Sequence, residues 1–182
     1  MRKALAVGAI LASAVLAGCS GQGSGDAPPE SDNATPAAKP QPHRAAPTKS
    51  LDVADPCSVV SQDQAKSLGA DQPPEPGDSN GKPGCDYLQG ASGGGFMVFI
   101  SADKSQTMQK FADARRSSAQ MLDVGGYPAA QVGTNKTNCL LSLDVSDQGS
   151  LYINTLVPHG DPNPCELSKK FAQAAIQNLP NA

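Results

Sequence analysis

Apolar residues are distributed along this chain in three regimes, and each regime predicts a different kind of structure. Ala4 to Ala17 is one uncharged apolar run of 14 residues. From Ser20 to Ser50 no apolar period survives, and prolines stand at 28, 29, 36, 40, 42 and 47. From Leu51 a periodic pattern returns and continues to the end. Asp55-Pro56-Cys57 reads as an N-cap with proline in the first helical position. A short turn to Val60 follows, and Ser61 to Gln64 has the spacing of a capping box, opening a helix that stops at Gly69. Residues 70–84, rich in Pro, Gly and Asp, read as a loop. Cys85 to Gln89 reads as a strand and Gly90 to Gly95 as a flexible turn. Phe96-Met-Val-Phe-Ile100 is apolar without a break, the mark of a strand covered on both faces and placed mid-sheet.

The second half alternates more clearly. A helix starting near Ser105 turns Met108, Phe111 and Ala112 inward and Lys110, Asp113, Arg115 and Arg116 outward. Tyr127 to Val132 is a weak strand. Cys139, Leu141, Leu143 and Val145 share one face of the next strand, and Leu151, Ile153, Thr155 and Val157 share one face of its partner. Asp147-Gln-Gly149 supplies the turn between them. Asn163-Pro164-Cys165 opens a last helix that buries Phe171, Ala172, Ala175, Ile176 and Leu179. The order helix, two strands, helix, three strands, helix predicts an α+β domain: an antiparallel sheet of four to five strands with about three helices against it.

The first regime points to the membrane. Arg2 and Lys3 precede the apolar run, which is shorter than the ~20 residues of a membrane span but suits an export signal. It ends in Leu16-Ala17-Gly18-Cys19, the pattern at which a lipoprotein signal peptidase cuts before a lipid-modified cysteine. Residues 1–18 are therefore expected to be removed and Cys19 to carry lipid. One acyl chain holds a bilayer only marginally, with K of about 10⁴ M⁻¹, whereas the two of a diacylglyceryl group hold stably. Removal of residues 1–18 leaves 12 basic and 17 acidic residues, a net charge of −5. Lipid rather than charge must then do the holding, and an acidic domain argues against nucleic acid as a partner.

Residues 19–50 are read as the lipidated cysteine and a disordered tether, whose 31 residues after Cys19 would span roughly 30 Å as a flexible coil. No core residue is expected there, and His43 and Arg44 are assigned nothing. The folded domain is placed at 51–182. It contains only seven aromatics and no Trp, a light core for its length. Four cysteines, Cys57, Cys85, Cys139 and Cys165, offer covalent support, and an even number in an exported chain reads as two disulfides. Zinc is the rival, but no Cys-x-x-Cys pair or nearby His supports it. The expected pairing is Cys57–Cys85 and Cys139–Cys165, each joining a helix start to the strand nearest in sequence and each stabilising by roughly 3–4 kcal/mol. The competing pattern, Cys57–Cys165 with Cys85–Cys139, would need the two Pro-Cys helix starts side by side, within about 7 Å.

No catalytic motif emerges. The Gly93-Gly-Gly95 run leads into a strand and lacks the Lys-Ser/Thr of a P-loop. His159, Asp161 and Asn163 gather ligand atoms without calcium-loop spacing, and Asn163 is better employed as a cap. No serine has a nucleophile-elbow setting. Asp144 and Asp147 flank a turn and read as solvated; Arg115 and Arg116 read as a charged helix face. No metal and no cofactor is expected.

The lipobox, the tether, Asp55-Pro56-Cys57 with its capped helix, Cys85-Asp-Tyr87, Cys139 and the Pro164-Cys165 helix together resemble an actinobacterial family of membrane-anchored lipoproteins described as a domain of unknown function. The resemblance covers Leu51 to the end. It implies an exported, anchored protein and brings no catalytic residue with it. The expected function is a non-catalytic binding module on the outer face of the cell membrane, for an envelope ligand or an exported protein partner. An envelope-polymer hydrolase using unrecognised carboxylates and an accessory subunit of a membrane complex are the alternatives.

Overall fold

A computed structural model describes residues 43–91 and 94–182. The expected signal segment, Cys19 and residues 20–42 of the expected tether lie outside the described residues. The elements run in chain order from a 3₁₀ turn, Pro56–Val59, to α1 (Gln62–Ser67), β1 (Glu75–Ser79), β2 (Lys82–Gln89) and β3 (Phe96–Asp103). Then come α2 (Met108–Ala114), β4 (Gln120–Val124), β5 (Tyr127–Asn135), β6 (Asn138–Ser146), β7 (Gly149–Leu156) and α3 (Pro164–Asn178). The sequence-expected caps form. Asp55 accepts from the Cys57 amide, Ser61 and Gln64 make a reciprocal capping box, and Asn163 accepts from the amides of Cys165 and Glu166. α2 starts at Met108 rather than near Ser105, because the Thr107 hydroxyl is the cap.

All seven strands form one antiparallel sheet in the order β1-β2-β3-β7-β6-β5-β4. The expectation of four to five strands is thus too low by the two edges. β1 reads Glu-Pro-Gly-Asp-Ser, a turn composition, and such residues are tolerated on an edge because one side of the strand needs no partner. The Asn80-Gly81 turn that joins it to β2 has φ of 58° and 75°, the type I′ signature. β4 is five residues long and joins β5 through Gly125 and Gly126, also at positive φ. Its short length hid it from any periodicity count.

Helices cover both faces. On one face α1, the 3₁₀ turn and α3 bury Tyr87, Phe96, Val98, Ile100, Leu141, Leu143, Ile153 and Phe171. The Phe171 ring lies 5.5 Å from Tyr87 and 6.2 Å from Phe96, tilted and edge-on, arrangements worth about 0.5–1.5 kcal/mol each beyond area burial. On the other face α2 places Met108 and Phe111 over Phe99, Ala130, Val132 and Tyr152. The unbroken run Phe96–Ile100 therefore feeds both cores, as its pattern predicts.

Cys57 is bonded to Cys85 and Cys139 to Cys165, with Cα–Cα separations of 5.0 and 5.1 Å. Both bridges tie a helix start to the sheet face that carries α3. The buried Tyr87 hydroxyl reinforces the first, accepting from the Val60 amide and facing the Val60 and Cys57 carbonyls.

The domain begins before Leu51, which corrects the expected boundary. The Ala45 and Ala46 amides bond the Gly126 carbonyl, the Tyr127 hydroxyl donates to the Pro47 carbonyl, Lys49 N–H bonds Val145 and Ser50 N–H bonds Pro180. The Arg44 guanidinium meets both Asp144 and Asp147. A proline-rich composition suggested solvation, but these residues need no helix or interior strand to dock. They cross the ends of finished strands, using backbone groups the sheet leaves free.

Candidate binding groove

The segment crossing the sheet continues through Leu51 and Val53, and a groove opens beside it. Leu51 is buried, Val53 half-buried, and the Val53 amide closes a tight turn onto the Leu51 carbonyl at 3.1 Å. Across from them lie Gly81 and Pro83 at the start of β2 and Ser101 to Ser105 at the end of β3. Between these walls is a groove of about 570 Å³. Leu51, Val53, Ala54, Pro83 and Ala102 make its apolar surface.

Charge enters only in compensated pairs. Lys82 Nζ bonds the Asp103 carboxylate and reaches Ser105 Oγ at 3.1 Å, while lying 5.4 Å from the centre of the Tyr152 ring. The Asp103 side chain is only 4% exposed and that of Lys82 12%. Burial alone would raise the Asp103 carboxyl, but Lys82 and Ser105 donate to it and hold it below the usual carboxylate range. At the rim, Lys104 meets Asp52 across the groove from wall to wall. Ser101 Oγ is already committed to the Pro83 carbonyl, at 2.6 Å. A groove with apolar walls and its charges already neutralised suits an uncharged, amphipathic ligand.

Neither the three charged residues that line the groove, Asp52, Asp103 and Lys104, nor Lys82, which bonds Asp103, was singled out by the sequence. Lys82 and Asp103 are 21 residues apart, and only the β2–β3 register, which sets Cys85 opposite Ile100, carries them together. That register was the missing signal, because β2 begins three residues before the expected strand.

The sequence-derived candidates are placed elsewhere. Asp144 and Asp147 are engaged by Arg44 rather than simply solvated. Arg115 stacks on the Phe111 ring at 4.2 Å, and Arg116 pairs with Asp113. His159 and Asp161 are exposed in the β7–α3 connection, where Asn163 serves as a cap. His43 is exposed. Gly93 lies outside the described residues, and Gly95 closes a turn onto the Gln89 carbonyl. Among the described residues no three metal-ligating side chains cluster, and no helix is long and apolar enough to cross a membrane. Two carboxylates, Glu75 and Asp86, stand opposite each other on β1 and β2. Burial first, and then Glu75, raises the Asp86 carboxyl. Neither residue borders the groove.

A family model described as a protein of unknown function (DUF3558) matches residues 14–178. No curated protein and no solved structure matches the chain.

Proposed function

We propose that this chain, which belongs to the DUF3558 family, is an exported, lipid-anchored binding module that holds an uncharged, amphipathic envelope ligand without transforming it. The observation that carries this reading is the groove beside Leu51–Ala54. It has an apolar surface, its charged groups are internally paired, and its residues include no histidine, cysteine or unpaired carboxylate. Its volume falls within the 300–1,000 Å³ typical of small-molecule sites. The location rests on Arg2-Lys3, the apolar run and Leu16-Ala17-Gly18-Cys19, with Cys19 as the lipidated residue and the actinobacterial cell envelope as the setting. The membrane is then a partner through the lipid alone.

The test uses the full chain and the neutral fluorescent probe N-phenyl-1-naphthylamine. Wild type should bind it saturably at one site. Ala54→Trp, which places an indole in the groove from an exposed position, should abolish that binding with no change in melting temperature. Equal binding by the two proteins would remove the groove from the reading. Cys19→Ala should release the protein from the membrane fraction, and lipid retained by that variant would refute the anchor.

A further inference from the structure

The sheet ends in two unlike edges. β1 is blunted: Pro76 has no amide hydrogen to offer, and Glu75 and Asp78 would set acid against acid if the strand met its own copy. β4 has no such guard. It reads Gln-Met-Leu-Asp-Val, with Met121 49% exposed and Leu122 half-buried. The two-residue turn at Gly125-Gly126 fixes which backbone groups of β4 remain free. Val124 opposite Tyr127 is the closing hydrogen-bonded pair, so Leu122 and Gln120 also direct their backbone groups to β5. Met121 and Asp123 therefore aim their N–H and C=O out of the sheet, where they meet no hydrogen-bond partner among the described residues.

We propose that two copies of the chain pair β4 to β4 about a two-fold axis through Leu122, joining their sheets into one of fourteen strands. The alternation of free groups restricts the register. Setting Met121 opposite Asp123 of the second copy uses both outward residues of each strand and forms four backbone hydrogen bonds. Leu122 then faces Leu122, covering two half-buried side chains. Shifting the register by two residues in one direction opposes Asp123 to Asp123; in the other it draws the pairing out of β4 to Ala119. Charge favours the first arrangement. Arg115 and Arg116 lie just ahead of the strand, Arg116 with its side chain 83% exposed while it also meets Asp113 of α2, and Asp123 lies near the strand's end. Antiparallel pairing brings the cationic start of each strand to the acidic end of the other. Two strands of five residues bury little surface, so the dimer dissociates on dilution.

Sedimentation velocity of the full chain in detergent, over a wide concentration range, tests this, with amide hydrogen exchange as a second readout. Wild type should double in protein mass with concentration while the Met121 and Asp123 amides become protected. Met121→Pro removes one outward N–H that β5 does not use, and Met121→Lys adds a charge to the edge. Both should stay monomeric at all concentrations, and Met121→Lys guards against misfolding of the proline variant. A wild type that never dimerises overturns the proposal. Protection of the two amides in a monomer would show that the edge is covered from within the same chain and overturns it too. A dimer that survives both substitutions would place the interface elsewhere.

Discussion

Replacing Lys82 with Met separates what holds the groove wall from what merely borders it. Asp103 Oδ1 keeps two bonds, from the Ser105 amide at 2.8 Å and its hydroxyl at 2.6 Å, while Oδ2 loses its only cation. One charge-assisted bond is worth about 1.5–3 kcal/mol, and leaving one partner of a buried pair alone costs about 3–5 kcal/mol. The surviving Ser105 bonds and the nearby solvent put the expected loss near the low end, about 3 kcal/mol. Asp103→Asn should cost less, about 1–2 kcal/mol, because the longer Lys82 side chain can reach water. The double variant should lose less than the sum of the singles. Urea denaturation measures all three. The pH dependence has a definite sign. The folded Asp103 carboxyl lies below its unfolded value, so the contribution of the pair is complete above about pH 4 and fades as pH falls through the folded value. The gap between wild type and Lys82→Met should therefore close on acidification. A neutral-pH loss below ~0.5 kcal/mol, the range of ordinary surface substitutions, would refute the reasoning. So would a gap that is independent of pH.

Two further outcomes follow from a second acid on β2 and from the early start of the domain. Burial and Glu75 raise the folded Asp86 carboxyl, so its ionised form weakens the fold once pH exceeds that folded value. Asp86→Asn should stabilise at neutral pH by about 0.5 kcal/mol after allowance for solvent, with the gain vanishing in acid; chemical denaturation at the two pH values reads it. Deleting residues 43–50 removes the acceptor of the Tyr127 hydroxyl and the bonds at Ala45, Lys49 and Ser50, and should cost more than about 2 kcal/mol in a thermal or urea transition. An unchanged transition would mean that these residues are a tether after all.

The parts of the fold that were legible in the sequence are those whose cause is local. Caps at Asp55, Ser61 and Asn163 are written in residue types a few positions apart, and the alternation that marks β6 follows from the burial of Leu141 and Leu143 on the α3 face. What was missed depends on neighbours distant in the chain. β1 is a strand because β2 lies beside it, although Pro76 and Gly77 argue against one. Asn80-Gly81 was a usable hairpin signal that pointed to it. Arg44 became part of the domain through acids a hundred residues away. The groove charges were illegible for the same reason, since each pair is made by strand register or by the crossing segment, not by spacing.

The first disulfide gives the groove its shape. One wall, residues 51–54, runs directly into Cys57; the other, Gly81 to Pro83, runs directly into Cys85. The bridge therefore pins the two walls together at one end, 5.0 Å apart at Cα. The far end of the crossing segment is fixed by Lys49 on Val145 and Ser50 on Pro180. A wall held at both ends cannot close onto the other, and the Lys104–Asp52 pair spans what remains between them. A groove kept open in this way needs little ordering when a ligand enters, which leaves more of the contact energy for affinity. On the proposed reading, binding would also depend on oxidation. Reducing Cys57–Cys85 frees one end of both walls, while the Cys139–Cys165 bridge stands apart and holds only α3 to β6. Under the proposed export, the compartment that oxidises the cysteines would thus also fix the shape of the groove.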